Sequence, residues 1–141
     1  MLFYSFGQYL EMYFKFTYPE NYYLFYGALL LGGQVASVLP TYIKQRHSLT
    51  YRSLGASGMV TAVVFATIIV QPWGIKIWGI IPGIIFGVIY LAYEHYASKN
   101  THDNINHEAH YWGGLFGIAF MFLSKPTAIF EFLEKLMNPV F

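Results

Sequence analysis

The sequence has no cysteine, so neither a disulfide nor a thiolate metal site is available to hold it together. Charge is scarce as well. Asp, Glu, Lys and Arg make up 11% of the 141 residues, where a soluble domain carries about 25%. The basic residues are scattered and the net charge is +1, which excludes a nucleic-acid-binding face and a polybasic lipid-binding tail. No Asn-x-Ser/Thr acceptor occurs, in keeping with a bacterial protein.

Apolar surface stands where the charge is missing. Hydrophobic residues form 56% and aromatic residues 21% of the chain, and the mean hydropathy is +0.42. Four stretches, 21–43, 53–75, 77–93 and 109–124, lack Asp, Glu, Lys and Arg. Each is long enough, or nearly so, to cross roughly 30 Å of hydrocarbon as a helix. The expected fold class is therefore all-α: a polytopic transmembrane helical bundle with about four full spanning helices.

The first ten residues, MLFYSFGQYL, are apolar from the start, with neither the basic leader nor the small-residue cleavage site of a signal peptide. Ten helical residues reach only about 15 Å. We read them as part of a spanning helix, in a single transmembrane domain over 1–141 that is incomplete at its N-terminal end. Residues 11–20, EMYFKFTYPE, then read as a short loop at an aromatic-rich interface. The second segment is expected to end around Pro40, leaving the basic stretch 44–52 outside the hydrocarbon. The third opens with SLGASGM and ends at the turn signal Gln71-Pro72-Trp73-Gly74. A fourth runs to about Tyr96, followed by the most polar loop, 98–108. The fifth extends to Ser124, and beyond Pro126 the amphipathic stretch AIFEFLEKLM is expected to lie along the interface.

Alternating the loops puts Lys15, Lys76, Lys125 and Lys135 on one side and Lys44, Arg46, Arg52 and Lys99 on the other, so the positive-inside rule sets no orientation. Alternation does make the third and fifth segments enter from the same face. Ser57 and His110 occupy their first turns.

A serine is a poor nucleophile until a base within about 3 Å takes its proton. His110, Gly113 and Gly117 fall at i, i+3 and i+7, one stripe of a helix, and Gly55, Gly58, Ala62 and Ala66 form a matching small-residue stripe on the third segment. Two such smooth faces pack closely and bring the two first turns together. Taken alone, the glycine-rich serine motif serves helix packing equally well, and a lone intramembrane histidine serves equally as a hydrogen-bonding group. Metal binding is the rival chemistry, because His102, Asp103, His107, Glu108 and His110 crowd together. A zincin needs histidines at i and i+4, whereas His107 and His110 stand three apart. Three apart still shares a face, but we expect no metal and read the cluster as a solvated loop. His47 and His95 sit near interfaces, and Tyr22, Tyr23 and Tyr26 are expected to anchor helix ends.

Gly55-Ala56-Ser57-Gly58 opening a membrane helix, then Ala109-His110-Tyr111-Trp112-Gly113 and Gly117, resemble the serine and histidine motifs of the rhomboid proteases. Phe6-Gly7-x-x-Leu10-Glu11 is similar to the family's signature at the inner end of its second core helix, and the run from Asn104 to His110 extends the match. The resemblance implies an intramembrane serine endopeptidase working by a dyad without cofactor. Ser57 attacks the scissile carbonyl, and His110 accepts its proton and returns it to the leaving amine. Gly55, Gly58, Gly113 and Gly117 serve the oxyanion-binding backbone and helix packing. No acidic residue is required, in agreement with the absence of any inside the third and fifth segments, 53–75 and 109–124. The implied partners are the lipid bilayer and membrane-protein substrates with transmembrane helices, and the implied location is multi-pass in a bacterial inner membrane. Loops 44–52 and 98–108 then face the outside, from which water reaches the dyad.

Two departures from the family pattern follow. The aromatic residue one turn after the serine, which packs on the histidine, is Thr61 here, so other contacts must hold the imidazole. The family's side-chain oxyanion donors, a histidine and commonly an asparagine, correspond to positions before Met1, which leaves backbone N–H groups around Ser57; losing one donor costs about 10²- to 10³-fold in rate. An inactive rhomboid-like protein that binds transmembrane helices is the alternative function.

Overall fold

A computed structural model describes residues 2–47, 56–101 and 105–139. Among them are six helices: α1 Leu2–Thr17, α2 Tyr22–Gln45, α3 Ser57–Val70, α4 Gly83–Asn100, α5 His107–Ser124 and α6 Ala128–Met137. A two-residue hairpin, β1 Lys76–Ile77 and β2 Ile81–Pro82, precedes α4. The all-α bundle agrees with the sequence. Helix α2, with 24 residues, meets both length and composition for a full crossing by itself. Helices α4 and α5 have 18 residues each and α3 has 14, reaching about 27 and 21 Å.

Helix α1 runs on through the stretch expected to be a loop. Glu11 and Lys15 fall at i and i+4 and pair at 2.8 Å on the outer side, while Phe6, Leu10 and Phe14 line the buried side. The connection shrinks to residues 18–21. Helix α2 likewise continues past Pro40 to Gln45. Proline forfeits one hydrogen bond to the preceding turn, but the last turn of α2 is tied from outside: Thr41 Oγ1 (3.4 Å) and Lys44 Nζ both donate to the Glu108 carboxylate of α5. Leu29, Gly33, Ser37 and Thr41, every fourth residue, form the buried stripe of α2, and Leu31, Val35 and Leu39 point outward.

Helix α3 is the centre of the bundle and touches each of the other five helices. Ten of its 14 residues are buried, from Gly58 to Val70, as expected of a helix apolar on every side. It ends where Pro72 approaches. Residues 76–82, expected to begin the fourth segment, instead turn back as the hairpin, with Trp78 and Gly79 at φ of 52° and 74°. Helix α4 starts only at Gly83, whose N–H donates to Ile75 O at 2.8 Å, and runs to Asn100 rather than to Tyr96.

Helix α6 turns through 112° from α5. Lys135 Nζ donates to Val70 O at 2.7 Å, capping the end of α3, where a cation complements the helix dipole. Lys125 Nζ reaches Glu131 at 2.7 Å, and Tyr18 Oη donates to Ser124 O at 2.7 Å. Close by, the Tyr18 and Phe25 rings stack at 4.0 Å.

Candidate active site

The site lies where α3 and α5 begin. A Cβ on Gly113 would stand 2.2 Å from Gly58 O, and one on Gly117 would stand 2.2 Å from Ala62 O. Backbone therefore meets backbone at two successive turns, and because both numbers rise together the two helices run parallel. Gly58 is hemmed in from two sides: its Cβ would meet Ser37 Cβ of α2 at 2.2 Å and Ala109 O of α5 at 3.0 Å. The small-residue stripes read from the sequence are thus the contact faces, as far as Gly58, Ala62, Gly113 and Gly117 report. Gly55 lies outside the described residues.

This register brings the turn carrying Ser57 beside the turn carrying His110, one turn before Gly113. Ser57 is the first residue of α3 and is exposed. Its carbonyl accepts a bond from Thr61 Oγ1 at 2.9 Å. Among the described residues, no hydrogen bond joins the Ser57 hydroxyl to His110. The imidazole is instead engaged through Nδ1, 3.1 Å from Glu94 Oε1 of α4.

Glu94 was not expected in the site. Its other oxygen, Oε2, lies 2.6 Å from His107 Nδ1, so one carboxylate bridges two imidazoles. All three side chains are enclosed, with Glu94 and His107 each 4% exposed and His110 16%. His107, expected in a solvated loop, is the first residue of α5 and is buried. The reason is local: Asn106 caps the helix, its Oδ1 accepting from Ala109 N–H at 3.0 Å, and this starts α5 early enough to bring His107 and His110 onto the face opposite α4.

Tyr90, one turn before Glu94, fills the place that Thr61 leaves open. Its ring lies nearly parallel to the His110 imidazole, at 28° and 6.5 Å between centroids, and its hydroxyl approaches the Glu94 carboxylate and the Thr61 hydroxyl. A polar thread therefore runs from the first turn of α3 through Thr61, Tyr90 and Glu94 to His110. Sequence periodicity carried a signal for it: Gly83, Gly87, Tyr90, Glu94 and Ala97 recur at helical spacing, and all but Tyr90 are fully buried. A carboxylate on the inner stripe of a membrane helix points to function.

Glu94, His107 and His110 also place three metal-type donor atoms within 4.8 Å of one another. Zinc bonds of about 2.0–2.2 Å in a tetrahedron keep neighbouring donors about 3.3 Å apart. The 2.6 Å between His107 Nδ1 and Glu94 Oε2 is instead close to the short lengths of charge-assisted hydrogen bonds, about 2.7–2.9 Å for a nitrogen donor. The Lys44 and Thr41 contacts to Glu108 turn that carboxylate away toward α2.

Compared with known proteins, residues 1–126 match the family model of the Rhomboid domain. No curated protein and no solved structure matches the chain.

Proposed function

The chain belongs to the rhomboid family and is an integral membrane protein, and from that premise we propose that it is a serine endopeptidase cleaving transmembrane segments by a Ser57–His110 dyad. The observation that carries the proposal is the parallel, backbone-close register of α3 and α5, with Gly58 against Gly113, which sets the serine's turn beside the histidine's. Ser57 Oγ bonds to the scissile carbonyl carbon while its proton passes to His110 Nε2. The C–N bond then breaks as that proton passes to the leaving amine, and water repeats the sequence on the acyl-enzyme. Among the described residues, the first backbone bond of α3 is Val60 N–H on Ala56 O at 3.0 Å, and the N–H groups of Ser57, Gly58 and Met59 stand in the opening turn of the helix. They are suited to receive the oxyanion.

The substrates are membrane proteins whose helices unwind locally at the interface, since a helix hides its carbonyls in hydrogen bonds. Exposure of Ser57 at the helix start supports entry of water and substrate there. A bacterial inner membrane is the proposed location. The second reading, a non-catalytic protein that binds transmembrane helices, draws on the missing Ser57–His110 hydrogen bond, although such bonds often tighten only with substrate bound. Labelling with a fluorophosphonate probe separates the two. The endopeptidase reading predicts covalent labelling that is lost in Ser57→Ala; a folded protein that takes no label leaves only the binding reading.

A further inference from the structure

We infer that Glu94 is a positioning residue for His110, fixing the imidazole tautomer that leaves Nε2 free to accept the serine proton. The inference deepens the dyad proposal and rests on it for its catalytic meaning. An ionised carboxylate has no proton to give, so whatever faces it must donate. Glu94 Oε1 faces His110 Nδ1 at 3.1 Å and Oε2 faces His107 Nδ1 at 2.6 Å; both imidazoles therefore carry their proton on Nδ1. For a neutral imidazole that leaves Nε2 as the lone-pair nitrogen, the state a general base requires.

The environment holds this arrangement in place. Glu94 is buried, so water does not compete for its oxygens. His107 occupies the second oxygen, and the Tyr90 hydroxyl approaches the same carboxylate, which together hold its rotamer. The Tyr90 ring lies nearly parallel to the His110 imidazole on one side, 6.5 Å between centroids. When His110 takes the serine proton, it becomes a cation beside an anion in a low-dielectric interior, where the attraction is strongest. A buried carboxylate thus supplies orientation and charge compensation from α4, a helix that carries neither Ser57 nor His110.

The test uses the whole protein in detergent micelles, labelled with ¹⁵N-histidine, and reads the tautomer from long-range ¹H–¹⁵N correlations. The wild-type spectrum should show His110 protonated at Nδ1 and bare at Nε2. Glu94→Met removes both acceptors, and Glu94→Gln keeps one acceptor oxygen for two imidazoles. Loss of orientation and of the counter-charge should slow fluorophosphonate labelling of Ser57 by about 10²- to 10⁴-fold in the Met variant, with the Gln variant between Met and wild type. Wild-type His110 protonated at Nε2, undiminished labelling in Glu94→Met, or stoichiometric zinc on the purified protein each overturns the inference. The wild-type spectrum decides even if the variants do not fold. If His110 is bare at Nε2 only when Glu94 is present, yet Ser57 never labels, the tautomer assignment stands and the protease reading falls.

Discussion

Replacing Gly113 with alanine adds a single methyl group at the closest approach of α3 and α5. Its carbon would lie 2.2 Å from Gly58 O, 2.8 Å from Gly58 C and 3.0 Å from Gly58 Cα. All three atoms are backbone, so no side chain can swing aside. Restoring ordinary contact means parting the helices by about 1 Å, and overpacking of this kind costs about 1–3 kcal/mol. The bilayer does not offset that loss, because helix association there depends on close packing rather than on expelling water. Gly27→Ala is the matched control, because a methyl there meets nothing within 4 Å and gains up to about 1 kcal/mol in helix propensity. Unfolding free energies measured by titration into SDS micelles should therefore move in opposite directions. Fluorophosphonate labelling should fall in Gly113→Ala by about 10²-fold, the cost of misplacing catalytic groups by about 1 Å. A Gly113→Ala protein as stable as wild type, or a Gly27→Ala protein weakened to the same degree, would refute the close register of α3 and α5 and with it the placement of the site.

Other consequences are independent of that pair. Tyr90→Phe keeps the ring over His110 and loses only the hydroxyl near Glu94 and Thr61, so its labelling should fall less than in Tyr90→Ala, which uncovers the imidazole; equal losses would mean that the ring face contributes nothing. At the opposite end of the bundle, the hydrogen bond from Lys125 holds the Glu131 carboxyl below the usual carboxylate range. A depressed folded value stabilises above the unfolded pKa of about 4.5 and is lost as pH falls through the folded value. Acid should therefore loosen α6 by at most about 1 kcal/mol, since the two side chains are 28% and 39% exposed. Glu131→Gln should remove that pH dependence in limited proteolysis between α5 and α6, and an unchanged dependence would assign it elsewhere.

Helical periodicity explains what was readable in the sequence. The stripes Gly58–Ala62 and Gly113–Gly117 are set by residue spacing alone, and chain alternation put Ser57 and His110 at one depth. What spacing cannot convey is whether a polar residue finds a partner. Glu11 and Lys15 looked like a loop because charge seldom continues a membrane helix, yet at i and i+4 they satisfy each other. Pro40 looked like an end, and the helix survives it because Glu108, distant in sequence, holds the following turn. Residues 76–82 belong to an apolar run that suits helix and strand alike, and the turn at Trp78 and Gly79 decides it. His107 looked like part of a solvated loop and Glu94 drew no reading at all; each is buried with the other there to pair with it.

The central claim is that Ser57 and His110 act as one unit, and a double-mutant comparison of turnover tests it most directly. Cleavage of a transmembrane substrate would be followed in proteoliposomes for wild type, Ser57→Ala, His110→Ala and the double variant. Residues that share one step are non-additive, so the double variant should lose no more activity than either single one. Near-normal turnover in either single variant, or losses that multiply in the double, would contradict the account.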